Sequence, residues 1–123
     1  MIKMSNVVLI GSNCEAYGHP IECQEPVSGS VSEDNSPKVT LDGKGIYFHS
    51  EASMKFSEHS HDYVDGSCVN NQSHSVDPDD THSVTLDGSS IVLEDDEGTD
   101  PVSGGRIEIT NTNGNESFKL LET

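Results

Sequence analysis

Apolar residues come along this chain in short bursts set between long polar stretches: NVVLIG, KVTLDG, KGIYFH, SVTLDG, SSIVLE, GGRIEIT and ESFKLLE. Each burst is about four to six residues rich in Val, Ile, Leu and Thr, bounded by Gly, Asp, Asn, Ser and Pro, which is the pattern of strands and turns. No stretch holds a helical period over a useful length, so the predicted class is all-β. In both copies of VTLDG the Asp-Gly pair stands between two apolar runs, a hairpin signal. The residues that follow the Gly predict a loop slightly longer than the two-residue form.

The two hairpins are copies of each other. PKVTLDGKGIYF (37–48) and HSVTLDGSSIVL (82–93) align without a gap at an offset of 45 residues, each preceded by a polar stretch that holds a histidine. SGGRIEITNTNGNESFKL, within 103–121, is a weaker third echo that keeps a Gly-Gly start and an alternating RIEI but has no Asp-Gly turn. Two full units and a partial third predict a pseudo-threefold arrangement in one domain spanning 1–123, with a histidine-bearing strap over about 49–74 between the units.

Composition sharpens the picture. At 123 residues, 31% hydrophobic and without Trp, the chain buries little apolar surface, so something besides the core must help to hold it. The formal charge of −16, from 22 acidic residues against 6 Lys plus Arg, repels a phosphate backbone and argues against nucleic acid as a partner. DPDDTHSVTLDG lacks the Gly and terminal Glu of a calcium-binding EF-hand loop. Cys14, Cys23 and Cys68 cannot all pair within one chain and none lies in a C-x-x-C, which speaks against a disulfide framework and leaves Cys14 and Cys23 as small, partly buried residues. The apolar run of MIKMSNVVLIGSN is short for a secretory signal, and no segment reaches membrane-spanning length.

The six histidines carry the candidate chemistry. His59 and His61, in EHSHDY, are two residues apart, and on an extended strand both side chains reach the same side and the same ion. His19 in YGHPI and His74 in QSHSV precede the two hairpin units, while His49 and His82 sit at a strand edge and a turn and are not counted as ligands. A structural metal is a common source of stability in small, core-poor domains. Catalysis is not expected: no H-E-x-x-H, nucleophile elbow or phosphate loop is present, although Glu58 and Asp62 flank the H-x-H.

The order of Gly-His-Pro-Ile, SPKVTLDGKGIYF, a histidine strap, SHSV leading into HSVTLDGSSIVL, and a closing DPVSGGRIEI resembles the PAAR and PAAR-like proteins over about residues 11–120. GKGIYF and GSSIVL stand where that family carries Pro-Ala-Ala-Arg. The resemblance implies a small conical fold of short β-hairpins. It implies a non-enzymatic tip that caps the trimeric β-helical spike of a contractile injection machine, at the tip of a phage tail baseplate or of a secreted spike, and touches the host outer membrane transiently. It also implies one structural metal ion, zinc ahead of iron, held by His19, His59, His61 and His74, with Cys68 as an alternative to one of the histidines. Two other readings stand beside it: a spike apex in which three chains each offer an H-x-H to one iron, and, from composition, a receptor- or carbohydrate-binding module of a fibre that leaves the histidines idle.

Overall fold

The computed structural model describes residues 4–49, 51–115 and 118–121. The described residues form strands and turns with no helix, as the burst pattern predicts. The strands are β1 (Met4–Asn6), β2 (Asn13–Ala16), β3 (Val27–Glu33), β4 (Thr40–Leu41), β5 (Lys44–Gly45), β6 (Ala52–Val64), β7 (Ser67–Val76), β8 (Thr85–Leu86), β9 (Ser89–Ser90), β10 (Glu97–Thr99), β11 (Arg106–Ile109) and β12 (Lys119–Leu121). A six-stranded antiparallel sheet runs β10-β11-β2-β3-β6-β7, and β4-β5, β8-β9 and β1-β12 form three separate pairs.

The most apolar bursts, VVL (7–9), IYF (46–48) and IVL (91–93), meet one another in a closed ring. Val7 bridges Leu93, Leu9 bridges Ile46, and Phe48 bridges Ile91. The central residues complete it: the Val8 N–H donates to the Val92 carbonyl (3.2 Å), the Val92 N–H to Tyr47 (3.0 Å), and the Tyr47 N–H to Val8 (2.9 Å). Because side chains alternate along extended chain, Val8, Tyr47 and Val92 point into the main core beside Val31, Met54, Phe56 and Ile107. Their neighbours Val7, Leu9, Ile46, Phe48, Ile91 and Leu93 form a second apolar cluster, against which Leu41, Leu86 and Leu120 pack.

Two of the bursts are fed by hairpins and the third by the pair β1-β12. The N–H groups of Ile46, Ile91 and Val7 donate to the carbonyls of Val39, Val84 and Phe118 at 2.9, 2.9 and 3.1 Å, so β12-β1 plays at the chain ends the part that β4-β5 and β8-β9 play inside the chain. The stretch 103–121 is divided between two sheets, Arg106–Ile109 lying between β10 and β2 while Lys119–Leu121 pairs with Met4–Asn6. The Asp-Gly turns are tighter than the sequence suggests. Leu41 pairs directly with Lys44 and Leu86 with Ser89, leaving Asp42-Gly43 and Asp87-Gly88 as two-residue loops with φ of 51 and 81°, and 51 and 84°. Positive φ at both positions is the turn geometry that matches the strand twist, and Asp-Gly adopts it with little strain.

Each burst then leads into a strand of the large sheet: β2 after VVL, β6 after IYF and β10 after IVL. Antiparallel order places β2, β6 and β10 in the same direction, with their C-terminal ends at the same end of the sheet. Two long polar strands, β6 and β7, make up most of what the burst pattern left as strap. They are joined by Asp65-Gly66, a third two-residue turn, with Val64 paired to Ser67.

The cysteines depart from the sequence reading. Cys23 and Cys68 form a disulfide, 45 residues apart with a Cα separation of 5.9 Å, and Cys14 alone is a buried free thiol. The spacing hides the pair because the partners lie on a loop after β2 and on the far hairpin, which only the folded sheet brings together.

Candidate metal centre

The side chains that converge at the common end of β2, β6 and β10 are His19, His59, His61, His74 and Asp100, a buried group that could hold a metal ion. One donor atom from each lies within 4.8 Å of every other. All four histidines named from the sequence are in this group. Asp100 was not among them.

Strand β6 brings two of the five by a change of phase. Ala52, Met54 and Phe56 are buried, whereas beyond a bulge between Phe56 and His59 the odd positions His59 and His61 are buried instead. One extra residue turns the two histidines onto the face that the apolar side chains occupy below. His74 on β7 lies opposite Phe56, its ring centroid 5.3 Å from the Phe ring, and so shares that face. His49 and His82 lie outside the group, and His82 is engaged with Asp96 at 2.8 Å.

His19 follows β2 through Tyr17 and Gly18. The chain there presses against Gly105: a Cβ at Gly105 would collide with the Tyr17 carbonyl, and Gly18 has φ +88°. Only glycine permits this approach, which seats His19 against the loop that carries Asp100. The His19 N–H donates to Glu25 Oε2 (2.6 Å). Asp100 closes its own loop after β10, its Oδ1 accepting the N–H groups of Val102 (2.8 Å) and Ser103 (2.9 Å). That leaves Oδ2 aimed at the histidines, 2.8 Å from His19 Nε2, 2.9 Å from His74 Nε2 and 3.8 Å from His59 Nε2; His61 Nε2 is 3.5 Å from Oδ1.

The hydrogen bonds fix which ring nitrogens face inward. His59 Nδ1 is 2.7 Å from the Ser57 carbonyl and His61 Nδ1 is 3.1 Å from that of Asn70. A carbonyl only accepts, so both Nδ1 atoms carry a proton, and it is the Nε2 atoms that face the interior, each with a lone pair when the ring is neutral. His59 Nε2 is 3.3 Å from His74 Nε2, and His61 Nε2 is buried with no hydrogen-bond partner. His19 and His74 reach Asp100 Oδ2 at hydrogen-bond distance, but the facing Nε2 atoms of His59 and His74 and the unpartnered Nε2 of His61 form a set of donors that a cation among them would satisfy. Among the described residues, the ion-pair partners of Asp100 are all histidines, so no Lys or Arg supplies that cation. The donor chemistry therefore fits a metal: four imidazoles and a carboxylate converge, and at His59 and His61 the outward N–H is held by a carbonyl, the usual form of metal-binding histidine.

Burial is the largest influence on Asp100 and alone would raise its pKa, but the Ser103 and Val102 N–H bonds and the nearby histidines outweigh it and hold the carboxyl well below its usual range. His74 goes down, chiefly through burial. Each shift keeps the group in its ligating form, carboxylate or neutral imidazole.

Cys68 takes no part. Its sulfur is bonded to Cys23, in the loop that follows His19, so the disulfide ties the His19 loop to the hairpin bearing the other three histidines.

No protein family, curated protein or solved structure matches this chain.

The sequence contained one sign of Asp100. Asp-Pro-Val-Ser is a side-chain-capped turn, and its Asp follows the third strand that runs toward the centre, but that strand becomes visible only once the three bursts are aligned.

Proposed function

We propose that this protein is a non-enzymatic, metal-pinned tip that caps the trimeric spike of a contractile injection machine, at a phage tail baseplate or a secreted spike. The observation that carries the reading is the separation of roles along one axis. Two hairpins and the pair formed by the first and last strands feed the bursts at one end, and at the other end four histidines and an aspartate from four separate segments meet at one point. The first end suits a threefold partner. Val39, Val84 and Phe118 each accept the N–H that opens one burst and are 36, 44 and 38% exposed, so each offers an apolar side chain to a partner. The resemblance to PAAR proteins points the same way, with a conical outline and a transient contact with an outer membrane.

The metal serves mechanics. An ion that ties β6, β7 and the loops after β2 and β10 makes unfolding of the tip require the release of every ligand together. On the four histidines alone it is zinc, in a closed tetrahedron. Convergence of all four within one chain favours this one-chain centre over an apex in which three chains share one iron.

The test is to mix the full chain with a trimeric β-helical spike protein from the same source and measure the mass of the complex in solution. One chain per trimer is expected, and substituting Val39, Val84 and Phe118 together by Asp should abolish it. Absence of any complex with the parent chain would contradict the reading.

A further inference from the structure

We propose that Asp100 is itself a ligand, so that the centre offers five donors, four imidazole nitrogens and one carboxylate oxygen. Such a set suits a divalent ion that accepts five or six ligands, ferrous iron being the type, rather than a closed zinc tetrahedron. The inference rests on the metal-centre reading above and names the class of ion that centre takes.

Charge is the first reason. Four neutral imidazoles around a divalent ion would leave two full positive charges in a site whose ligand side chains are nearly inaccessible, and a buried uncompensated charge is costly. Asp100, with a side chain fully shielded from solvent, is the one carboxylate in the group, and it halves that charge. The carboxylate of Glu25 lies 3.8 Å from the outer nitrogen of His19, where it can steady that ring without reaching the centre.

Geometry is the second. Nitrogens held at about 2.1 Å around a tetrahedral ion stand about 3.4 Å apart on every edge. Here the donor separations run from 2.8 Å (His19 to Asp100) and 2.9 Å (His74 to Asp100) through 3.3 Å (His59 to His74) to 3.5 Å (His61 to Asp100), with all five donors within 4.8 Å of one another. Adjacent ligands at right angles stand about 3.0 Å apart and opposite ones about 4.2 Å at the same bond length, so short and long separations belong together in a set of five or six.

The third reason is how Asp100 is held. Two backbone N–H groups engage Oδ1 and fix the plane of the carboxylate, leaving Oδ2 to face the imidazoles. This is the outer-shell support that oriented metal ligands carry. Because raw affinity along the first-row metals favours zinc over iron at any given site, a preference for the larger coordination number has to come from the donor count and its geometry.

Cobalt(II) reports this directly, since its visible absorption is intense in four-coordinate sites and several-fold weaker in five- or six-coordinate ones. The full chain, stripped of metal and reloaded with cobalt alone, is expected to give the weak spectrum. Asp100→Asn keeps an oxygen for the Val102 and Ser103 N–H groups while removing the charge. It is expected to bind cobalt at least about tenfold more weakly and to shift toward the intense four-coordinate spectrum. An intense spectrum in the parent, unchanged in D100N, would overturn the proposal while leaving a four-histidine metal centre intact. No uptake of cobalt by the parent would overturn both. Should D100N fail to fold, the parent spectrum alone decides.

Discussion

The two ends of this molecule are held by different forces. At the hairpin end, nine apolar residues in three bursts interlock through a ring of backbone hydrogen bonds, and every side chain finds a core, Val8, Tyr47 and Val92 on one side and their neighbours on the other. At the histidine end the strands outrun the apolar core: β6 replaces Ala, Met and Phe by His59 and His61, and β7 is almost wholly exposed up to Ser73. Apolar packing makes the first end self-sufficient. The second has no apolar core of that kind: its long strands are ordered by their antiparallel ladder, one disulfide and the histidine–aspartate group. On the proposed reading, stability at that end depends on a bound ion, whereas at the first it is built into the side chains.

The comparison breaks most sharply at the ion. Replacing His59 and His61 together by Ala should abolish metal binding and lower the melting temperature by about 15 °C or more, since a structural ion contributes about 10 kcal/mol of folding energy at neutral pH. Treating the parent with a chelator should reproduce most of that loss, as calorimetry can show. A variant that melts with the parent would mean that the hairpin end holds the fold alone.

The disulfide comes next. Cys23→Ser with Cys68→Ser opens a loop of 45 residues, which by chain entropy costs about 4 kcal/mol. Urea unfolding measures that directly. Because the bridge ties the His19 loop to the hairpin with the other histidines, the same variant should also lose metal faster to a chelator.

A smaller effect tests the apolar end. The Tyr47 hydroxyl donates to Asp77 Oδ1 at 2.6 Å beneath the ring of bursts, so Tyr47→Phe should cost about 1–2 kcal/mol at neutral pH. The pH dependence has a defined sign. Burial first of all raises the pKa of Asp77, against the lowering effect of the Tyr47 bond. An acid raised on folding contributes stability that is present below its unfolded pKa and lost as pH rises through the folded one. Losing the hydroxyl raises Asp77 further, so the penalty should fade as the pH is lowered toward about 3.5. A cost that grows on acidification would contradict this account.

The smallest effect is expected at Lys38. Its ammonium meets Asp87 at 2.7 Å and links the first hairpin unit to the second, but both side chains are more than half exposed. Lys38→Ala should leave the melting temperature unchanged within error.

The same division explains what could be read in advance. The all-β class and the two hairpins were visible because Val, Ile and Leu flank Asp-Gly at the same spacing twice. The third pair was not, because its strands are Lys119–Leu121 and Met4–Asn6, at opposite ends of the chain. At the polar end, β6 and β7 escaped notice because Ser, Asn, Gln and His fill positions where strands usually show apolar side chains. Asp65-Gly66 was a third copy of the Asp-Gly hairpin signal that was read at the other two. The four histidines were legible as residue types with a spacing. Asp100 and the Cys23–Cys68 bridge were not, since both depend on which loops the sheet order brings together, and the bulge after Phe56 that turns His59 and His61 inward leaves no mark in residue type.

The most direct test of the metal-pinned fold is the metal content of the purified, untagged protein, read together with its mass in solution. The account predicts about one divalent ion per chain in a monomer. A monomer free of metal that melts at the same temperature with and without a chelator would contradict it.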